Sequence, residues 1–314
     1  MIEKANTSSK GRHFSVRGLA CLVWMICALH LQASPASWRQ TIWNGEKAWE
    51  STSAGWTAIV SEERARLVSL AESGNGGNIL FVSTKNAISW GGHRCWLGPQ
   101  ASWKTGWPPP SDWEASPASQ VRSRGAVLTV TYQHADPKYP QITRSYEWRD
   151  GVLHCSMNWQ GESYYAIQIL QVPRWSLIHL YRVVTRDCPL GYALPPLYQR
   201  PSLLNDRPIA QGASRLDGNE LTLWYAYISE KIAVAPQEVI ADIGNYRLTV
   251  RRGTTSGTTT IVPDAGLLTQ LYLGDWQNPF IELEQLSPFG SEHAAKSEIL
   301  VTLSRKVGSM ITSK

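Results

Sequence analysis

One short segment concentrates side chains that could bind or react with a small molecule. Residues 90–114 read WGGHRCWLGPQASWKTGWPPPSDWE, with five tryptophans and with His93 beside Arg94. A histidine exchanges protons near neutral pH, and an arginine offers a planar fork of donors that suits vicinal hydroxyls or a carboxylate. An indole face packs against the C–H groups of a sugar while its hydroxyls hydrogen-bond at the rim. We therefore predict a rigid loop that lines a carbohydrate site.

The tryptophans and prolines of this segment could also have a purely structural role. Three consecutive prolines, residues 108–110, hold an extended conformation, so little entropy would be lost on binding. Trp96, Trp103 and Trp107 are predicted to contact the ligand. The alternative for each ring is that it fills one end of the core.

A pair of carboxylates near the C-terminus is the second candidate for chemistry. Glu282 and Glu284 lie two apart in FIELEQL, so in a strand they share one face of the sheet. Two carboxylates facing one way raise the pKa of one of them, although they could equally serve an ion pair with Arg94. Trp276 is also predicted to be a site residue, only because it lies close to Glu284 in the sequence.

No motif in the chain points to a metal or a cofactor. The histidines and glutamates show no HxH or HExxH spacing, and GxSxG, Walker and GxGxxG motifs are absent from the sequence. We therefore predict neither a metal nor a cofactor.

The elements that must position these residues read as strands. Short runs rich in β-branched and aromatic residues are separated by Gly, Pro, Asn and Asp, while helical periodicity is scarce. Asp150-Gly151 between two alternating runs predicts a tight hairpin. Residues 251–260 are predicted to be a mobile hairpin loop. The predicted strands are 56–61, 65–71, 78–83, 126–133, 164–172, 221–228, 246–252, 268–274, 280–286 and 298–304.

The N-terminus has the pattern of a secretory signal peptide. Four basic residues precede the apolar run 18–31, and small residues follow it, so cleavage is predicted after Ala36. An uncleaved anchor is the alternative, but the apolar run is short for a spanning helix and contains His30. The chain is therefore predicted to be exported to the periplasm or the extracellular space, with no stable membrane span, and residues 37–314 to form one domain.

Charge and cysteine content give no support to a nucleic-acid partner or a disulfide framework. The formal net charge of the whole chain is +5, but residues 1–36 hold four basic and one acidic residue, so 26 basic and 24 acidic residues remain. No basic cluster is left that would follow phosphates. Cys95, Cys155 and Cys188 then remain, and they could include one bridge or be three buried thiols.

Three stretches together resemble the galactose-mutarotase-like superfamily, whose fold is the β-supersandwich of aldose 1-epimerases, and are closest to an uncharacterised bacterial family within it. They are ARLVSLAESGNGGNILFVS, WGGHRCWLGPQASWKTGWPPP and NPFIELEQLSPFGSEHAAKSEILVTLSRK, and the similarity spans residues 55–306. The resemblance implies an all-β fold with few or no long helices and a concave sheet face that binds an aldose. It also implies that Glu284 is the base that takes a proton from the anomeric hydroxyl.

The sequence departs from the epimerases where their catalytic histidine is expected. MNWQGESYYAIQILQVPRW contains Gln168 and Gln171 there instead, and glutamine cannot donate a proton at neutral pH. We therefore predict an exported carbohydrate-binding protein without standard mutarotase activity. The alternative is an aldose 1-epimerase-like isomerase with Glu284 as base and His93 as acid. A lyase or hydrolase would need a tyrosine or paired carboxylates, and no tyrosine is singled out by its spacing.

Overall fold

The computed structural model consists almost entirely of antiparallel β-strands, as predicted. The described residues belong to one compact unit, Ala36–Lys314. Apart from Ala36, the predicted signal segment lies outside them and stays a prediction. No helix among the described residues is long and apolar enough to cross a membrane. The residues that the structure describes are 36–74, 76–83, 91–103, 109–110, 112–113, 116–181, 192–193, 214–217, 220–224, 230–234, 236–256, 268–274, 277–291 and 294–306.

The first sheet is a four-stranded antiparallel meander. Its turns suit tight reversals, because Asn44-Gly45 and Ala54-Gly55 both adopt positive φ. Alternate residues of its third strand, Trp56, Ala58 and Val60, are buried, which gives that strand one apolar face. The strands in order are β1 (Arg39–Trp43), β2 (Glu46–Ser53), β3 (Trp56–Ser61) and β4 (Arg66–Glu72).

Two larger sheets make up the rest of the described fold. The order in the six-stranded sheet is β12 (Tyr192–Ala193), β15 (Glu230–Val234), β18 (Thr269–Leu273), β19 (Phe280–Leu286), β10 (Tyr165–Pro173) and β5 (His93–Gly98). The order in the ten-stranded sheet is β13 (Ser214–Asp217), β14 (Glu220–Leu223), β11 (Leu177–Tyr181), β16 (Glu238–Ile243), β17 (Tyr246–Ser256), β20 (Ala295–Arg305), β9 (Val152–Trp159), β8 (Ile142–Arg149), β7 (Val127–Tyr132) and β6 (Gln120–Arg124).

The six-stranded and ten-stranded sheets pack against each other through apolar side chains. Every residue of β5, β10 and β19 is buried, so these strands have covered side chains on both faces. Polar contacts also cross the interface, since Gln168 donates a hydrogen bond to Ser297 on β20 over 2.8 Å. The fold therefore places β10 and β19 centrally, and their outward-facing polar residues need partners within the protein or from a ligand.

Local sequence patterns predicted some elements correctly and others wrongly. The hairpin between β8 and β9 is confirmed, with Asp150 and Gly151 both at positive φ. Residues 78–83 are not a strand, and Val82 forms only an isolated bridge with Gly91. The predicted loop around His93 contains a strand, β5, and β17 extends to Ser256 where a mobile loop was expected.

Candidate functional site

Strand alternation separates the predicted site residues onto two faces of the six-stranded sheet. Residues directly opposite each other on antiparallel strands point to the same side, and Glu284 lies opposite Ile169, which lies opposite Arg94. Glu282 lies opposite Gln171 in the same way, two residues along and therefore on the same side. This side, which faces away from the ten-stranded sheet, is named the Glu284 face. His93 and Gln168 point the other way.

Arg94 and Glu282 form a buried ion pair on the Glu284 face. Arg94 Nη1 lies 2.8 Å from Glu282 Oε1, and the same oxygen accepts a hydrogen bond of 2.7 Å from Gln171 Nε2. The guanidinium also lies over the Trp96 ring, with its carbon 4.7 Å from the centroid. The predicted ion pair of Arg94 with a carboxylate is thus present, and Trp96 and Gln171 fix its two ends.

A second cation reaches Glu284 from the opposite side of β19. Lys231 on β15 lies opposite Tyr272 on β18 and therefore belongs to the Glu284 face. Its Nζ donates a hydrogen bond of 2.8 Å to Glu284 Oε2 and lies 2.7 Å from Oε1. Sequence reasoning missed Lys231, because it is 53 residues from Glu284 and belongs to no motif. The sequence feature that could have identified it is a lysine placed directly before the apolar residues of EKIAV, residues 230–234.

Burial raises the pKa of Glu284 to about 7, the opposite direction from that expected for an ion-paired carboxylate. Removal from water has the largest effect, because Glu284 is only 2% exposed. Lys231 and, more weakly, Arg94 lower the pKa, whereas the neighbouring Glu282 raises it. The carboxyl is therefore poised to take up or release a proton near neutral pH, as acid–base catalysis requires.

Two buried acceptor atoms on the Glu284 face are left without a full set of hydrogen-bond donors by the described residues. Oε1 of Gln171 has no donor among them, while the amide nitrogen of the same side chain donates to Glu282. Oε1 of Glu284 is approached by the Lys231 ammonium at 2.7 Å, but the hydrogen bond of that ammonium goes to Oε2. A buried acceptor without a donor costs about 1–3 kcal/mol. The two residues are diagonal neighbours on β10 and β19, so one small hydroxylated molecule could supply donors to both.

His93 and Gln168, both predicted site residues, lie between the two large sheets and not beside Glu284. His93 is fully buried, its Nδ1 is 3.3 Å from the Tyr146 hydroxyl, and Cys95 Sγ is 3.3 Å from its Nε2. Burial, reinforced by the positive charge of Arg144, lowers the pKa of His93 to about 3. The imidazole is therefore neutral at pH 7 and is not the imidazolium that a general acid would require.

The glycines before His93 closely approach the backbone of neighbouring segments. Gly92 has φ of +73°, and a Cβ there would lie 2.1 Å from the carbonyl oxygen of Leu67 on β4. At Gly91 a Cβ would lie 2.4 Å from Val82 Cα. The pair thus lets the chain pass close to Val82 and to β4 as it enters β5.

The described tryptophans of the aromatic segment are packed into the core. Trp96 is 2% exposed and Trp103 is 5% exposed, and their rings meet edge to face with centroids 6.4 Å apart. Trp103 donates a hydrogen bond of 2.8 Å to the Leu97 carbonyl. These two rings therefore offer almost no surface to a ligand, and Trp96 acts by supporting Arg94. Trp107 and Trp276 lie outside the described residues.

A separate groove of about 920 Å³ lies over the first sheet. Its lining includes Trp43, Glu46, Arg64 and Asn78. Arg64 is paired with Glu46 over 2.8 Å, and its guanidinium carbon lies 5.6 Å from the centre of the Trp43 ring. Arg64 and Glu46 in this groove thus already have protein partners, in contrast to Gln171 Oε1 on the Glu284 face.

Metal and thiol chemistry find little support in the described part of the chain. It contains no group of three or more His, Cys, Asp or Glu side chains arranged to hold a metal ion. Cys95 and Cys155 are buried as thiols, and burial raises the pKa of Cys155 well above its usual value, which keeps it protonated. Cys188 lies outside the described residues.

Comparison with solved structures places this architecture among known folds. A galactose mutarotase-like protein from Lactobacillus casei matches with a TM-score of 0.56 at 12% identity, over 82% of this chain and 100% of the other. A candidate mutarotase from Salmonella typhimurium matches with a TM-score of 0.54 at 10% identity, over 91% and 100% of the two chains. Likeness at such identities establishes the fold alone.

Sequence comparison adds no closer relative. No protein-family model matches the chain, and no curated protein matches its sequence.

Proposed function

We propose that this chain, which has the galactose-mutarotase-like fold, binds an aldose on the Glu284 face of its six-stranded sheet. The two buried acceptors carry the proposal. Gln171 Oε1 has no donor among the described residues, Glu284 Oε1 has only the Lys231 ammonium beside it, and sugar hydroxyls can donate to both. In this proposal the protein acts after export to the periplasm or the extracellular space.

Binding is tested by titrating free aldoses such as galactose, glucose and mannose into the protein by calorimetry. We expect Gln171→Leu to weaken binding about tenfold, because one hydrogen bond is worth about 1 kcal/mol and more when a charged partner is involved. Gln168→Leu is the matched control, because Gln168 is a buried glutamine of the same strand that faces the other sheet. Its affinity should equal that of the wild type once circular dichroism shows that both variants are folded.

Two outcomes would remove the proposal. One is the absence of measurable binding for every aldose in the panel. The other is equal weakening in the Gln171 and Gln168 variants, which would trace the effect to general loss of structure.

A second candidate function, an aldose 1-epimerase-like isomerase, is favoured by the protonation behaviour of Glu284. Because burial raises the pKa of this carboxyl to about 7, a small change in surroundings moves a proton on or off it. The basic form predominates above that pH, so the protein-dependent rate of anomer exchange should rise as the pH increases through 7. Binding without exchange would leave the chain a carbohydrate-binding protein of the same fold.

A further inference from the structure

Anomer exchange needs a proton donor as well as a base, and the Glu284 face restricts the choice. When the base takes the proton from the anomeric hydroxyl, the ring oxygen must gain one as its bond to carbon breaks. Arg94 holds its proton too tightly and Gln171 has none to give. Tyr272 and Lys231 are then the remaining donors among the described residues of this face.

Lys231 is the better placed of these two donors. Its ammonium group touches both oxygens of Glu284, at 2.7 and 2.8 Å, so acid and base are adjacent. Its side chain is 14% exposed, whereas that of Glu284 is 2% exposed, so the pair lies at the boundary between the buried sheet and accessible space. A lysine beside a buried carboxylate loses its proton without leaving an isolated charge, because the carboxylate is neutralised in the same step.

We propose that Lys231 is the proton donor of the Glu284 face and forms with Glu284 a bifunctional acid–base pair for opening an aldose ring, an inference that rests on the proposed aldose site. Glu284 accepts the proton of the C1 hydroxyl, the C1–O5 bond breaks as the C1 carbonyl forms, and Lys231 Nζ gives its proton to O5. The open aldehyde turns about the C1–C2 bond and recloses with the two roles reversed. No oxidant, reductant or second substrate is consumed.

The test compares three variants for binding by calorimetry and for anomer exchange by NMR. Lys231→Arg keeps a positive charge beside Glu284 but holds its proton, so we expect affinity within about threefold of the wild type and exchange at least about 100-fold slower. Lys231→Met should also lose exchange. Gln168→Leu, whose side chain faces the ten-stranded sheet, is the control and should keep exchange within a few-fold of the wild type.

The pH profile gives a readout that a structural role would not move. Arg94, Glu282 and Tyr272 also face Glu284, and they are unchanged in Lys231→Arg. In the wild type, exchange should rise as Glu284 loses its proton and fall at higher pH as Lys231 loses its own. The residual exchange of Lys231→Arg should lack the fall.

Each result separates this inference from the proposed function. Exchange by Lys231→Arg at the wild-type rate would reduce Lys231 to a charge that holds Glu284 in place and would overturn the inference. Wild-type binding without any exchange would overturn it too, while leaving the aldose site intact. Failure of the wild type to bind any aldose would remove both.

Discussion

His93 and Arg94 are sequence neighbours that lie on opposite faces of β5, and this alternation decides which of them can meet a ligand beside Glu284. Arg94 pairs with Glu282 on the Glu284 face. His93 contacts Tyr146 between the two large sheets. Residue types alone predicted both as site residues, but only the register of β5 against β10 could separate their roles.

A buried neutral His93 should make the protein sensitive to acid. An unfolded histidine has a pKa of about 6.5, whereas burial lowers the pKa of His93 to about 3. Between these values the unfolded chain binds a proton that the folded chain does not, so the free energy of unfolding falls as the pH falls, by about 3 kcal/mol at pH 4. In His93→Gln, the free energy of unfolding, measured with denaturant at pH 7 and pH 4, should fall between these pH values by about 3 kcal/mol less than in the wild type.

The same variant also tests the assignment of His93 to the interior. His93→Gln should bind aldoses with the affinity of the wild type, measured at pH 7 where both proteins are folded. Loss of binding with unchanged stability would return His93 to the ligand site.

At the scale of the element, β5 shows why a strand can be mistaken for a loop. Its sequence HRCWLG has no polar–apolar alternation, because both of its faces are covered and all six residues are buried. Strands with one exposed face, such as β7, alternate between buried and half-buried residues and were predicted almost to the residue. The Asp150-Gly151 hairpin was predictable because its turn chemistry is local.

Gly92 is the position next to β5 at which a side chain would be most disruptive. Gly92→Ala should reduce the free energy of unfolding by about 3 kcal/mol or more, since its Cβ would lie 2.1 Å from Leu67 O at a φ of +73°. Gly125→Ala is the control, because Gly125 has φ of +60° but no atom within 4 Å of the added Cβ. That variant should lose only about 1–2 kcal/mol. Equal losses in urea unfolding would contradict the close approach.

At the scale of the whole molecule, the all-β fold followed from many short apolar strands separated by turn residues, and the structure confirms it. The site was less predictable because its contacts join distant strands. Glu282 and Glu284 could be placed on one face from their spacing, but Arg94 and Lys231 are 188 and 53 residues from the carboxylates they meet. A pairing of this kind depends on strand order β15-β18-β19-β10-β5, which no local pattern specifies.

The central claim is that an aldose binds on the Glu284 face, and a crystal structure of the protein soaked with its best-binding aldose tests it most directly. We predict sugar hydroxyls within hydrogen-bonding distance of Gln171 Oε1 and Glu284 Oε1, the two buried acceptors of that face. A sugar bound instead in the groove beside Trp43, with the Glu284 face unchanged, would contradict the account.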